Sequence, residues 1–568
     1  MKKWEEIIET KVKPGFLAPW SDKKGEEDFK KTIAKTIDSI NALKPEKDNT
    51  KCYLGEPNCI IGDEEGIKNV KDSVEMPEKA STMEEVIKEV VPYFNGMYNL
   101  AHPKTMFNVV PAPGIPSITG SFLGSMFNPN LVEQDYAGNV AALELEVAAM
   151  VSKLVGYDPQ SSQGHFTFGG TGAYLFGTKL ALTKCLGKES RFKGIREDAQ
   201  LLVSKVGHFA AINCTDWTGL GSDNIRPIEL AEDNSMDLNH LEETMEDCYS
   251  KGQPIAMITA TVGTTDAFGI DDIKGITEVV DSFMKRHPDA KRPFIYADAV
   301  IGWGWCVFND YDFDKNPMEF SEEALEAIKT AVERTKYLYL ADAIGMDFHK
   351  TGFTSYNCTL VLVKDKTSLP ILSRESEDMA YLYQFSAYTP GKYTFECSRG
   401  GNYPLVAWCN MKYFGLEGYR ATLGELIEAK ITLRKLIDDE DAIVCLNRHN
   451  YGFVTLFRVY PEELRAKYGD NFAEKQYENE FNDAEYAEDL KKFNDYQFKV
   501  AAELRRLTFE DNGPALSFTS GFRTNAYGDE VAAIKAYPMT PFRSDNAAEI
   551  KRDVVDYILK AAKCVDKK

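Results

Sequence analysis

Apolar stretches of two lengths alternate along the middle of this chain. Residues 201–206, 254–263 and 292–300 are short and nearly continuous in apolar character, which predicts strands buried within a sheet. Residues 140–155 have the spacing of an amphipathic helix ended by Gly156, and 174–182 reads as a second helix. Alternation of this kind from about 101 to 405 predicts a large α/β domain, with a mainly parallel sheet covered by helices. Residues 1–100 are charged and mixed, helix-like at 28–43 and 83–91, with a break at 44–49. From about 406 to 568 the pattern predicts a smaller α+β domain, helical at 426–437 and 500–507 and strand-like at 452–460. Within it, 461–493 is rich in Glu, Lys, Asp and Asn and is expected to be a solvated helix or a mobile insertion.

Composition narrows the class. A chain of 568 residues that is 43% hydrophobic buries a substantial core in several domains. Its net charge of −22 argues against nucleic acid and anionic membranes as partners. The eleven cysteines show no CxxC spacing, so no metal site or redox dithiol is expected. The start lacks the apolar segment of a signal peptide and no apolar run is long enough to span a membrane, so a cytoplasmic protein is expected.

The chemistry centres on Lys350, in Asp347-Phe348-His349-Lys350-Thr351-Gly352, between β-like runs at 337–340 and 359–363. A lysine held between buried strands loses hydration, so its ammonium pKa is expected to fall. The neutral amine is what an aldehyde cofactor, pyridoxal phosphate (PLP), needs to form a Schiff base. Asp298 ends the apolar run 294–300, where its carboxylate can pair with a pyridine nitrogen. Phe166-Thr167-Phe168-Gly169-Gly170-Thr171-Gly172-Ala173 opens a helix, and its glycines let backbone amides approach a phosphate. Residues 258–265 form a β-run ending in Gly263-Thr264-Thr265, where a hydroxyl can also reach phosphate. His208, just after the strand at 201–206, can stack on a cofactor ring.

In this order the motifs resemble the group II pyridoxal-dependent amino-acid decarboxylases of PLP fold type I, the aspartate aminotransferase-type fold, from about His102 to Tyr419. The resemblance implies Lys350 as the Schiff-base lysine with His349 beside it, Asp298 as pyridinium partner next to Ala299, and His208 as the stacking ring. Gly170, Thr171 and Thr265 match phosphate positions, and Asp347 stands where relatives carry Asn or Asp. It further implies Tyr388 as the loop acid that protonates the carbanion, 11 positions before Arg399. Tyr381, Tyr383 and Tyr393 compete for that role. Arg399, in Phe395-Glu396-Cys397-Ser398-Arg399-Gly400-Gly401, is expected to bind a substrate carboxylate or brace the site, and Lys535 to meet a substrate carboxylate. A homodimer with the N-terminal segment wrapped on the partner subunit is implied as well.

The chain departs from the family pattern in three places. Gly172 and Tyr174 replace a usual Glu and Asn, Tyr136-Ala137-Gly138-Asn139-Val140 replaces a Ser-Pro-Ala-Thr-like element, and Lys535 stands for an Arg and loses its bidentate fork. PLP labilises any Cα bond aligned with its π system, so three readings stay open. The first is decarboxylation of an L-amino acid, with an aromatic substrate such as tyrosine favoured by Phe107, Val109, Val110 and the 539–542 segment, and glutamate or aspartate also open. The second is a Cα–Cβ lyase of the sphingosine-phosphate lyase type. The third is a non-catalytic PLP-binding scaffold.

Overall fold

The computed structural model describes residues 2–17, 19, 21–44, 51–57, 61–448, 451–542 and 547–567; most of the expected break at 44–49 lies outside them. Its strands are β1 (Thr105–Met106), β2 (Gln163–Thr167), β3 (Gln200–Ser204), β4 (Ile225–Ile228), β5 (Ile255–Thr261), β6 (Phe294–Asp298), β7 (Ala343–Asp347), β8 (Thr359–Val363), β9 (Ile443–Cys445), β10 (Thr455–Val459), β11 (Ala515–Thr524) and β12 (Glu530–Ala536).

Seven of them form one sheet in the order β2-β8-β7-β6-β5-β3-β4. β7, β6, β5, β3 and β4 run parallel, while β8 is antiparallel to both neighbours. The three predicted strands are therefore β3, β5 and β6, and each is buried along its whole length. The apolar run at 337–340 is not a strand. It turns as a 3-10 segment, Leu338–Leu340, directly after helix Glu322–Thr335, and the strand leading to Lys350 is β7. β7 is disguised by Gly345, at which a Cβ would come within 2.2 Å of the Tyr296 hydroxyl.

Helix Gly170–Leu186 lies on one face of this sheet. Gly177 permits the contact, since a Cβ there would sit 2.5 Å from the Tyr296 ring. Tyr174, one of the departures from the family pattern, packs its ring against Tyr296 and hydrogen-bonds Thr259 at 2.7 Å.

The second sheet has the order β1-β11-β12-β10-β9, and helix Asn402–Asp438, bent at Gly415, leads into it. β1 comes from the 101–405 segment and pairs parallel with β11, so the second sheet draws on both expected domains. The charged segment 461–493 is anchored. Helices Phe472–Asn482 and Ala487–Glu510 place Glu480 in a fully buried pair with Arg458 at 2.9 Å. In the N-terminal segment, helices Lys23–Asn41 and Met83–Val90 form where the pattern predicts them.

Candidate active site

Strand register gathers the key side chains. Thr259 pairs with Tyr296, Thr261 with Asp298 and Asp298 with Gly345. Side chains alternate along a strand, so Thr261, Asp298 and Asp347 share the face that helix Gly170–Leu186 covers. All three stand at C-terminal strand ends, where open α/β sheets bind ligands.

Lys350 follows β7 on a turn, its Nζ 2.8 Å from Asp347 Oδ2. The other Asp347 oxygen accepts from the Thr359 hydroxyl at 2.6 Å, and His349 Nε2 lies 3.4 Å from Oδ2. Burial alone lowers the Lys350 ammonium, as the sequence leads one to expect. The Asp347 carboxylate beside it outweighs that effect, and the net shift is upward. Asp347 shows the converse: burial raises its carboxyl, but Lys350 and His349 hold it below its ordinary value. The His349 ring is held at Nδ1 by the Cys358 backbone and packs on Tyr356 with ring centroids 4.2 Å apart.

Asp298 is buried and its Oδ1 has no hydrogen-bond partner. Burial raises its carboxyl above the usual range, while His208 and Lys350 pull the other way. His208 caps the turn into helix Ala210–Thr218, accepting from the Ala210 amide at 3.1 Å. Burial lowers its pKa against the pull of Asp298.

The phosphate-binding candidates lie around this cluster. Gly169, at φ +114°, turns the chain into the helix, and the Gly172 and Ala173 amides fold back onto its carbonyl. The Gly170 and Thr171 amides are left as the open helix end, suited to an anion. Gly170 also sits against Asp347, whose oxygens would be 3.3 Å from a Cβ there. Thr265 and His208 line a cavity of about 440 Å³ together with Lys205, Asn108 and Arg523. Ala299 is buried at the end of β6, its amide donating to Gly345 O. A buried carboxylate oxygen with no partner, a lysine within the same charge cluster and a helix N-terminus fit a pyridoxal phosphate. Among the described residues no cluster of metal-ligating side chains is present, and no helix is long and apolar enough to cross a membrane.

The family model described as "Pyridoxal-dependent decarboxylase conserved domain" matches residues 67–291 and 328–459, more than half of the chain. The chain belongs to the pyridoxal-dependent decarboxylases. It is 22% identical to an L-2,4-diaminobutyrate decarboxylase of Acinetobacter baumannii over 78% of this chain and 82% of that one. An L-tyrosine decarboxylase of Enterococcus faecalis is 23% identical over 44% of this chain and 42% of its own. Among solved structures, the glutamate decarboxylase domain of a Vibrio parahaemolyticus diaminobutyrate protein superimposes with TM-score 0.72 at 18% identity, covering 99% of this chain and 100% of that one. Oryza sativa TDC with PLP and tryptamine gives 0.69 at 16% identity, covering 95% and 98%. The fold is thus PLP fold type I, the enzyme a carboxy-lyase and its cofactor PLP. Of the three readings left open by the sequence, the match supports the first.

Three expected residues of the decarboxylase are occupied elsewhere. Arg399 is buried and grips Glu144 with both terminal nitrogens, at 2.7 and 3.0 Å, while also bonding Phe166 O and Leu131 O. Its guanidinium thus braces helix Val140–Val155 against β2, the second of the two roles expected for it. Tyr388 donates its hydroxyl to the same Glu144 at 2.7 Å, and burial beside that carboxylate raises its pKa well above the usual range. Its hydroxyl is thus engaged by Glu144 in this structure. Lys535, on β12, is bonded to Asp266 at 2.6 Å and fastens the second sheet to the loop after β5. Sequence reasoning missed Thr359 and Thr261. Thr359 is recoverable only from the β7–β8 pairing, which sets it opposite Asp347. Thr261 ends β5 with a buried hydroxyl lacking a partner.

Proposed function

We propose that the protein converts an L-amino acid to its amine and CO2 at the Lys350–Asp298 cluster, with aromatic amino acids such as tyrosine first among its substrates. The observation that carries the site is the buried, unpartnered Asp298 Oδ1 in the same charge cluster as Lys350 and His208. In this reading Asp298 holds the cofactor's ring nitrogen, and His208 covers the ring face. Gly170, Thr171 and Thr265 hold the phosphate, and Ala299 and His349 border the pocket. PLP bound there supplies an electron sink for the pair left at Cα as the carboxylate departs. Lys350 offers its amine, and Asp347 holds a proton on Nζ until it is needed. The cavity by His208 gives the substrate side chain room to enter.

The aromatic preference rests on Phe107 and Val109, which flank the cavity residue Asn108, and on the likeness to tyrosine decarboxylases. An acidic substrate loses its expected receptors, because Arg399 and Lys535 are both paired. A diamino acid is the second reading, favoured by the longer alignment to a diaminobutyrate decarboxylase. We further propose that the enzyme works in the cytoplasm as a homodimer. Ile115, Ile118 and Phe122 lie on one face of helix Ile115–Phe127 and are apolar and exposed, a surface for a partner subunit.

The test is CO2 and amine release from the PLP-loaded protein across the common L-amino acids and 2,4-diaminobutyrate. Release from tyrosine or another aromatic amino acid supports the proposal. Release from diaminobutyrate alone supports the second reading, and release from none of them overturns both.

A further inference from the structure

Away from the active-site cluster, helix Asn402–Asp438 carries a buried lysine that lines a second cavity. Lys430 is only 3% exposed, and among the described residues no hydrogen bond or ion pair reaches its Nζ. It lines an open cavity of about 700 Å³. Arg434, four residues on and therefore on the same helix face, lines that cavity too. Arg434 sends its Nη2 to Asn447 O and Oδ1, at 3.0 and 3.2 Å, while its buried Nε has no partner.

The other charges facing the cavity are engaged or in water. Asp233 accepts from Arg334 at 2.9 Å and from Tyr451 at 2.6 Å. Glu323 pairs with Lys435 at 2.7 Å, and Arg448 with Glu474 at 3.4 Å. Glu232, Glu322 and Glu326, which also line the cavity, are exposed. Cys445, on β9, is kept a neutral thiol by burial. Lys430 and Arg434 thus line the same cavity from one helix face, and among the described residues neither the lysine Nζ nor the arginine Nε has a partner. Burial, with Arg434 adding to it, brings the Lys430 amine down to about 7, so a large share is neutral near physiological pH.

We propose that Lys430 is a carbamylation site, at which Nζ captures CO2 and the Arg434 guanidinium steadies the resulting anion. The neutral Nζ lone pair attacks the CO2 carbon and an N–C bond forms. One C=O electron pair moves to oxygen, and a proton passes from Nζ to water. No oxidant or reductant is required, and the decarboxylation itself makes CO2. The added carboxylate would offer the Arg434 guanidinium an acceptor and replace an amine that has no partner among the described residues with an anion beside a cation. The enzyme would then carry a mark of its own product outside the active site.

The test uses the PLP-loaded full chain with no substrate, so it does not depend on which amino acid is decarboxylated. The protein is equilibrated with carbon-13 bicarbonate at about pH 8, above the range in which a lowered lysine amine loses its proton. It is trapped with triethyloxonium, digested and mapped by mass spectrometry, with a peptide bearing a free α-amine in the same vial. Labelled ethoxycarbonyl on Lys430, absent when bicarbonate is left out, is the expected result. A labelled control peptide with unlabelled Lys430 overturns the proposal. Arg434→Gln, which keeps the lysine, is expected to lower occupancy several-fold; undiminished occupancy in a folded variant removes Arg434 from the site.

Discussion

Lys350 Nζ lies 2.8 Å from Asp347 Oδ2, and Thr359 occupies the opposite oxygen of that carboxylate. The pair sets the proton affinity of the lysine upward although it is buried. Neutralising Asp347 therefore frees the amine at lower pH. In Asp347→Asn, the pH profile for PLP uptake by the cofactor-free protein is expected to shift toward acid. Visible absorbance of the reconstituting enzyme against pH checks this, and an unshifted profile counts against the pairing.

Asp298 carries a second prediction. Because burial raises its carboxyl, its unpaired charge destabilises the cofactor-free fold above the ordinary carboxylate range. That cost disappears as falling pH protonates the group. Cofactor-free Asp298→Asn is expected to match or exceed the unsubstituted protein in stability at neutral pH, by on the order of 1 kcal/mol. The advantage should shrink in acid, as denaturant unfolding at two pH values would read. Turnover of the loaded variant is expected to fall by about 100-fold or more.

The Glu144 cluster separates stability from catalysis. Arg399→Ala leaves Glu144 buried without its partner, so a loss of roughly 3–5 kcal/mol is expected in unfolding experiments. Tyr388→Phe removes one hydrogen bond to the same carboxylate and is expected to cost about 1.5–3 kcal/mol. If Tyr388 is only a brace, its Phe variant keeps kcat within a few-fold. A collapse of kcat at unchanged stability would return it to the role of proton donor.

Lys535→Met cuts the bond to Asp266 that ties the second sheet to the loop after β5. The expected result is a lower melting temperature and weaker PLP retention through the neighbouring Thr265, with KM for the substrate little changed. A large rise in KM alone would mark Lys535 as a substrate receptor.

Much of the site was legible because its residues end apolar runs. Asp298 ends a fully buried strand and His208 follows another by four residues, and their sequence signal is strong for that reason. β7 was missed because Gly345 and Asp347 dilute its apolar character, while the more apolar 337–340 run is spent on a turn. Arg399, Tyr388 and Lys535 sit in segments that resemble the family, but a residue's type does not disclose its partner. Glu144 lies 255 positions from Arg399 and Asp266 lies 269 from Lys535, so neither pairing leaves a local trace. The expected fall in the Lys350 pKa failed for a related reason. Burial was visible in the pattern, and the carboxylate three residues away was read only as a family position.

Lys350 is the residue expected to carry the cofactor, and borohydride reduction tests this most directly. The PLP-loaded protein is reduced, digested and mapped for the pyridoxyl group. The group is expected on Lys350 alone, with Lys350→Ala giving neither label nor CO2 release. A pyridoxyl group on another lysine, or a Lys350→Ala protein that still turns over, would contradict the account.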